Sequence, residues 1–181
     1  TRVLLTGAGG MLGDAFYSTF SNKVNLLATD INLNEKWLNY LDVRDYSEYR
    51  KQACDFKPDI IVHLAALTDL EFCEMNQDKA YETNTLAVEN AVCIANELES
   101  TLVYISTAGI FNGVKDLYSD WEKPDPINIY GSSKYMGELH VLNNAHKYFV
   151  CRAGWMMGGG PKKDKKFVNK IIIQINNGAK N

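Results

Sequence analysis

Residues 2–13 read Arg2-Val3-Leu4-Leu5-Thr6-Gly7-Ala8-Gly9-Gly10-Met11-Leu12-Gly13, and the first five form a short apolar run with the look of a buried parallel strand. From Met11 to Phe20, the residues Leu12, Ala15, Phe16 and Phe20 recur at helical spacing. Gly7, Gly10 and Gly13 occupy the turn between them. Glycines there permit the tight bend, let backbone N–H groups approach a pyrophosphate at the helix N-terminus, and allow close helix-to-strand packing. The spacing is GxxGxxG, with Gly9 as a further glycine. A second apolar strand, Val24 to Thr29, delivers Asp30 to its carboxyl end, where a dinucleotide fold places the acid that accepts hydrogen bonds from the adenosine ribose. The plain alternative is a glycine-rich turn followed by a surface aspartate.

Strands and helices keep alternating downstream. Leu38 to Val43 reads as a short strand, Tyr46 to Phe56 as a helix and Pro58 to Ala66 as a strongly apolar strand. Asp78 to Leu98 reads as one long helix rich in small residues. Thr101 to Thr107 and Tyr148 to Arg152 are further strands, separated by a helix from Tyr130 to His146. Repeated βαβ units predict an α/β fold: a Rossmann-type doubly wound parallel sheet with helices on both faces, binding its ligand at the carboxyl ends of the strands.

The chemistry gathers at Tyr130-Gly131-Ser132-Ser133-Lys134. Pro124-Asp125-Pro126 ends any earlier helix, so Tyr130 stands in the first turn of a new one. A Tyr and a Lys four apart share a helical face, and the ammonium together with the helix macrodipole is expected to favour the ionised phenol. Taken alone, such a pair is far more often a half-buried aromatic beside a solvated lysine, since YxxxK arises often by chance. With the glycine turn and Asp30 it points to hydride chemistry on a nicotinamide cofactor.

Composition agrees. A chain of 181 residues, 46% of them hydrophobic, can bury one sizeable core but not two. A net charge of −3 argues against a general nucleic-acid binder. Neither a membrane span nor a signal peptide is read, and Cys54, Cys73, Cys93 and Cys151 are scattered without a CxxC pair, so a reducing, cytoplasmic setting is expected. His63, His140 and His146 lack metal-ligand spacing, and no metal is expected.

Over essentially its whole length the chain resembles the extended short-chain dehydrogenase/reductase family. The resemblance is carried, in family order, by TGAGGMLG (6–13), Asp30, LDVRD (41–45), HLAALT (63–68), ETNTLAVEN (82–90), YISTAGIFNG (104–113), INIYGSSKYMGE (127–138) and RAGWMMG (152–158). Within the family it is most similar to the branch that reduces the 4-keto group of a nucleotide-linked deoxysugar. The resemblance implies that Tyr130 protonates the nascent alkoxide, Lys134 holds the nicotinamide ribose and lowers the phenol pKa, and Thr107 hydrogen-bonds the substrate carbonyl. It further implies that Gly7, Gly10, Met11, Leu12 and Gly13 meet the pyrophosphate, Asp30 the adenosine ribose, and Asp42 with Val43 the adenine, while Ala65, Ala66 and Leu67 pass beside the cofactor. Asn84 is read either as part of the active-site water network or as a helix-packing residue. Trp155 either packs on the sugar or belongs to the core. The lysines of KKDKK (162–166) either attract a nucleotide diphosphate or are solvated.

Asp30 and the lack of an arginine directly after it favour NAD(H), with NADP(H) also admitted. Two departures stand out. Ala108-Gly109 follow Thr107 where that branch usually carries an acid and an aromatic. The sequence given also stops at Asn181, where family members continue into a smaller carboxy-terminal substrate lobe. The leading expectation is an NAD(P)H-dependent reductase of a nucleotide-sugar ketone, with a homodimer as one arrangement open to it. The alternatives are a nucleotide-sugar epimerase or dehydratase, and a cofactor-binding regulatory subunit without turnover.

Overall fold

The structure, a computed structural model, describes residues 1–164 and 167–178. Its elements are β1 (Arg2–Thr6), α1 (Met11–Phe20), β2 (Asn25–Asp30), β3 (Asn39–Tyr40), α2 (Tyr46–Phe56), β4 (Ile60–His63), α3 (Leu70–Met75), α4 (Gln77–Tyr81), a π-helical turn (Glu82–Leu86), α5 (Ala87–Glu97), β5 (Thr101–Thr107), a 3₁₀ turn (Ala108–Ile110), α6 (Ile129–Asn144), β6 (Tyr148–Ala153), α7 (Gly160–Lys163) and α8 (Phe167–Asn176). The six strands make one sheet in the order β3-β2-β1-β4-β5-β6, every neighbouring pair parallel. Strand order therefore reverses between β1 and β4. In an open α/β sheet that reversal opens a crevice at the carboxyl ends of the strands.

Alternation along β1 sets the two faces. Leu4 joins Ile61, Leu102 and Tyr104 under α2, α5 and α6, where Tyr49, Ala53, Val88, Ala91, Val92, Ala95 and Val141 close one core. Val3 and Leu5 join Ala28 and Val62 on the other face, packed by Phe16 and Tyr17 of α1 and by Trp37. The small residues Ala87, Ala91 and Ala95 on one stripe of α5 let that helix lie close to the sheet. Among the described residues, no helix is long and apolar enough to cross a membrane.

Several boundaries differ from the sequence reading, each for a physical reason. β2 ends on Asp30, one residue beyond the expected strand, so Asp30 itself pairs with β3. β3 is two residues rather than Leu38–Val43: only Asn39 and Tyr40 pair with β2, while Leu38, Leu41 and Val43 are buried outside the ladder. Their apolar alternation records burial of a connecting loop, not a ladder. The expected strand 58–66 forms a ladder only over Ile60–His63. The helix expected over Asp78–Leu98 is three pieces, α4, the π turn and α5. From the π turn the consecutive residues Asn84 and Thr85 both bond to Ser133 of α6. α3 was not expected; Asp69 starts it by accepting from the Phe72 N–H.

Candidate active site

The glycine turn after β1 lies against the end of β4, across the reversal point. Gly7 has φ +68°, and a Cβ there would stand 2.5 Å from the Ala65 nitrogen, so only glycine fits. Gly10 caps α1 without any side-chain hydrogen bond. By contrast α2, α3 and α6 are capped by Asp45, Asp69 and Asn128. The amino end of α1, beginning at Met11 and Leu12 with Gly13 buried behind them, thus keeps its N–H groups for an anion. Asp30 is brought to this turn: its Oδ2 accepts from the Gly9 N–H at 2.9 Å and its Oδ1 from the Asn32 N–H at 2.8 Å. Asn34 donates to the Gly9 carbonyl at 3.1 Å. An anion-ready helix end beside an acid at the end of β2 fits a dinucleotide: pyrophosphate on the former, adenosine ribose on the latter.

The flanking residues are less free than the sequence reading implied. Arg44 grips the Asp42 carboxylate through Nε and Nη2, the shortest contact being 2.6 Å, and this holds the acid below its ordinary pKa. The Val43 side chain is buried in the core and its carbonyl accepts from Asn90 at 3.0 Å. Ala65, Ala66 and Leu67 run irregularly after β4 along the crevice.

Thr107 and Tyr130 meet at the end of β5. The Thr107 hydroxyl accepts from the Gly109 N–H at 3.0 Å, which curls the chain into the 3₁₀ turn. Asn128 caps α6 by accepting from the Gly131 N–H at 2.7 Å. A Cβ on Gly131 would stand 2.3 Å from the Gly109 carbonyl oxygen, so the glycine allows α6 to start directly against that turn. Thr107 and Tyr130 flank the same space at Gly109, where a Cβ would stand 3.3 Å from Thr107 Oγ1 and 3.8 Å from Tyr130 Cε1; burial holds the phenol above its ordinary pKa while Thr107 pulls the other way.

Lys134 corrects the electrostatic expectation. Its ammonium donates to the Ile105 carbonyl at 2.6 Å and sits 4.2 Å from the Tyr104 ring centroid. Burial brings its pKa down to about 7, opposed by the Glu138 carboxylate. The phenol is accordingly raised by burial rather than lowered by an adjacent ammonium. Glu138, fully buried, is paired with Arg152 at 2.7 Å, and Arg152 also donates to the Asp120 carbonyl at 3.0 Å. That pair escaped the sequence reading, although Glu138 stands four residues after Lys134 on the same helical face.

Asn84 proves to be structural glue at the site: its carboxamide bonds both backbone groups of Leu67 and the Ser133 hydroxyl. Trp155 follows β6 and is 75% exposed, outside the core of the described residues. Of the KKDKK lysines, Lys165 and Lys166 lie outside the described residues, as does the side chain of Lys162. Lys163 lies at the glycine turn, its ammonium 3.1 Å from the Gly9 carbonyl and 3.1 Å from a Glu35 oxygen. Among the described residues, no group of three or more His, Cys, Asp or Glu side chains is placed to hold a metal.

The profile of the RmlD substrate binding domain family matches residues 1–180. The chain is 31% identical to methionine adenosyltransferase 2 subunit beta of Xenopus tropicalis, over 99% of this chain and 55% of that protein. It is 29% identical to the dTDP-4-dehydrorhamnose reductase of Salmonella typhimurium, over 87% of this chain and 52% of that one. Among solved structures, the dTDP-4-dehydrorhamnose reductase of Bacillus anthracis in complex with NADP superposes with a TM-score of 0.87 at 32% identity, covering 97% of this chain and 60% of that one. The chain spans about half the length of the relatives it matches.

Proposed function

The chain belongs to the RmlD substrate binding domain family, and from that premise we propose that it is the dinucleotide-binding and catalytic part of an NAD(P)H-dependent reductase acting on the 4-keto group of a nucleotide-linked sugar. The observation that carries this reading is the nearness of Thr107 and Tyr130 at the carboxyl end of β5, on the same edge of the parallel sheet as the glycine turn after β1. Reduction of a ketone puts negative charge on its oxygen, and a protonated donor pair acts where that charge develops. The nicotinamide cofactor, when bound, supplies the hydride. Thr107 and Tyr130 hold the carbonyl oxygen between them, and Tyr130 gives its proton to the nascent alkoxide. Lys134, fixed by the Ile105 carbonyl and the Tyr104 face, meets the nicotinamide ribose. Asp30 accepts from the adenosine ribose, and the uncapped end of α1 receives the pyrophosphate. The NADP-bound relative from Bacillus anthracis supports the cofactor class, and the Salmonella reductase the substrate class.

The test is oxidation of NADH or NADPH by the protein at its full natural length in the presence of dTDP-4-dehydrorhamnose and other nucleotide-linked 4-keto sugars. Turnover that disappears in Tyr130→Phe is the expected result. A second reading, a cofactor-binding subunit without turnover, is favoured by two observations: the 31% identity to a protein named as a subunit, and Ala108-Gly109 after Thr107. Dinucleotide binding with no oxidation on any 4-keto sugar nucleotide would select that reading.

A further inference from the structure

The segment after β6 returns over the glycine turn. Gly159, at φ +72°, approaches α1 so closely that a Cβ there would stand 3.2 Å from the Met11 side chain and 2.7 Å from the Lys163 Cβ. This path lays the Lys163 stem along the turn, and the side chain is only 8% exposed. Its ammonium has three donors, and three acceptors surround it: the Gly9 carbonyl at 3.1 Å, Asn34 Oδ1 at 3.3 Å and Glu35 Oε1 at 3.1 Å. Gly9 is the residue whose N–H is bonded to Asp30, and a Cβ on Gly9 would lie 3.1 Å from Asp30 Oδ2 and 3.0 Å from Asn34 Oδ1. A cation from the far end of the chain is thus held next to the acid of the adenosine pocket.

Resting on the dinucleotide reading above, we propose that Lys163 is the residue that reads the adenosine 2′-phosphate, exchanging its Glu35 contact for a phosphate oxygen and so offsetting the repulsion from Asp30. Asp30 alone, with Ile31-Asn32-Leu33-Asn34 after it, favours a ribose with a free 2′-hydroxyl. Lys163 supplies a positive charge that Asp30 and the four residues after it do not. Asn34, whose Nδ2 is bonded to the Gly9 carbonyl, fixes the acceptor array that keeps the ammonium there. The chain is consequently built to take both NAD(H) and NADP(H), with Asp30 and Lys163 as opposing contributions to the choice.

Calorimetric titration of the full-length protein with NADP⁺ and with NAD⁺ tests this without any turnover. Lys163→Gln is expected to weaken NADP⁺ binding about tenfold, the size of one lost charge-assisted contact, and NAD⁺ binding by no more than about threefold. Lys163→Arg is expected to keep NADP⁺ affinity, and Glu35→Gln, which removes the competing carboxylate, to raise it about threefold. Equal losses for both dinucleotides in Lys163→Gln, or none for NADP⁺, would overturn the proposal while leaving the dinucleotide reading intact. Wild-type protein that binds neither dinucleotide would overturn both.

Discussion

The Asn84 carboxamide closes a two-point ring with the backbone of Leu67: the Leu67 N–H donates to Oδ1 at 2.8 Å, and Nδ2 donates to the Leu67 carbonyl at 3.0 Å. The same Nδ2 reaches the Ser133 hydroxyl at 3.0 Å, which in turn donates to the Tyr130 carbonyl at 3.0 Å. One buried side chain therefore ties the segment after β4 to the helix that carries Tyr130 and Lys134. The π turn makes this reach available, in keeping with the tendency of such insertions to mark functional sites.

Replacing Asn84 with alanine leaves the Leu67 N–H and carbonyl without these partners, at a cost of about 2–4 kcal/mol in unfolding free energy. Turnover is expected to fall about tenfold as α6 loosens against the crevice. Urea unfolding and steady-state kinetics on the same preparation check this. Wild-type stability in Asn84→Ala would show that the ring contributes nothing.

The Tyr130→Phe protein should bind dinucleotide with nearly unchanged affinity while losing on the order of 10²- to 10⁴-fold in turnover. The substitution removes only the phenolic hydroxyl, and touches none of the glycine turn. Activity within a few-fold of wild type would remove Tyr130 from the chemistry.

The first βαβ unit was legible because its two signals are local: an apolar run and a helical repeat joined by glycines at a turn that only glycine permits. The start of α6 was legible from Pro124 and Pro126. Other features depend on distant partners. The break in the helix spanning Asn84 is set by Leu67 and Ser133, which are 17 and 49 residues away in sequence. In the expected strand 38–43 the apolar residues Leu38, Leu41 and Val43 are buried without a ladder partner, and only Asn39 and Tyr40 pair with β2. The Tyr-Lys spacing correctly placed both groups on one helix, but not the lysine's long stem, which turns toward the Ile105 carbonyl. No local pattern announces that Lys163 returns to Gly9, 154 residues earlier in the chain.

Gly131→Ala tests the close approach that places the Thr107 and Tyr130 hydroxyls near one another. The added methyl would fall 2.3 Å from the Gly109 carbonyl oxygen, with Pro126 and Asn128 closing the other sides at 3.1 and 3.2 Å. α6 must back away from the 3₁₀ turn, separating Tyr130 from Thr107. The expected cost is about 1–3 kcal/mol of stability and at least tenfold in turnover, with dinucleotide affinity little changed. Preserved turnover would mean that the close approach is not needed for alignment.

Lys134→Met should raise stability while abolishing turnover. Burial lowers the Lys134 pKa from 10.5 to about 7, so between those values the unfolded chain binds a proton that the folded chain resists. Stability then rises with pH from about 7 to 10.5, and the penalty is fully present below about 7. Removing the amine removes that rise, and at pH 7 the methionine variant should melt a few degrees higher. A variant less stable than wild type at neutral pH would show that the Ile105 and Tyr104 contacts outweigh the desolvation.

His63 supplies the corresponding signature on the acid side. It ends β4 in the core, its Nδ1 3.2 Å from the Thr6 hydroxyl, with the Tyr49 and Tyr104 rings on either side. Burial, with a smaller contribution from the charge of Lys134, pushes its pKa down from 6.5 to about 3. The folded state keeps the ring neutral while the unfolded chain protonates it, so this contribution is present above about 6.5 and is lost progressively as pH falls toward about 3. The slope reaches about 1.4 kcal/mol per pH unit for one proton. Between pH 6 and 5, above the range in which most carboxylates titrate, urea unfolding of the wild type should show a loss of about that size, and His63→Leu should flatten it. An unchanged slope in His63→Leu would mean that the ring already accepts a proton in the folded state.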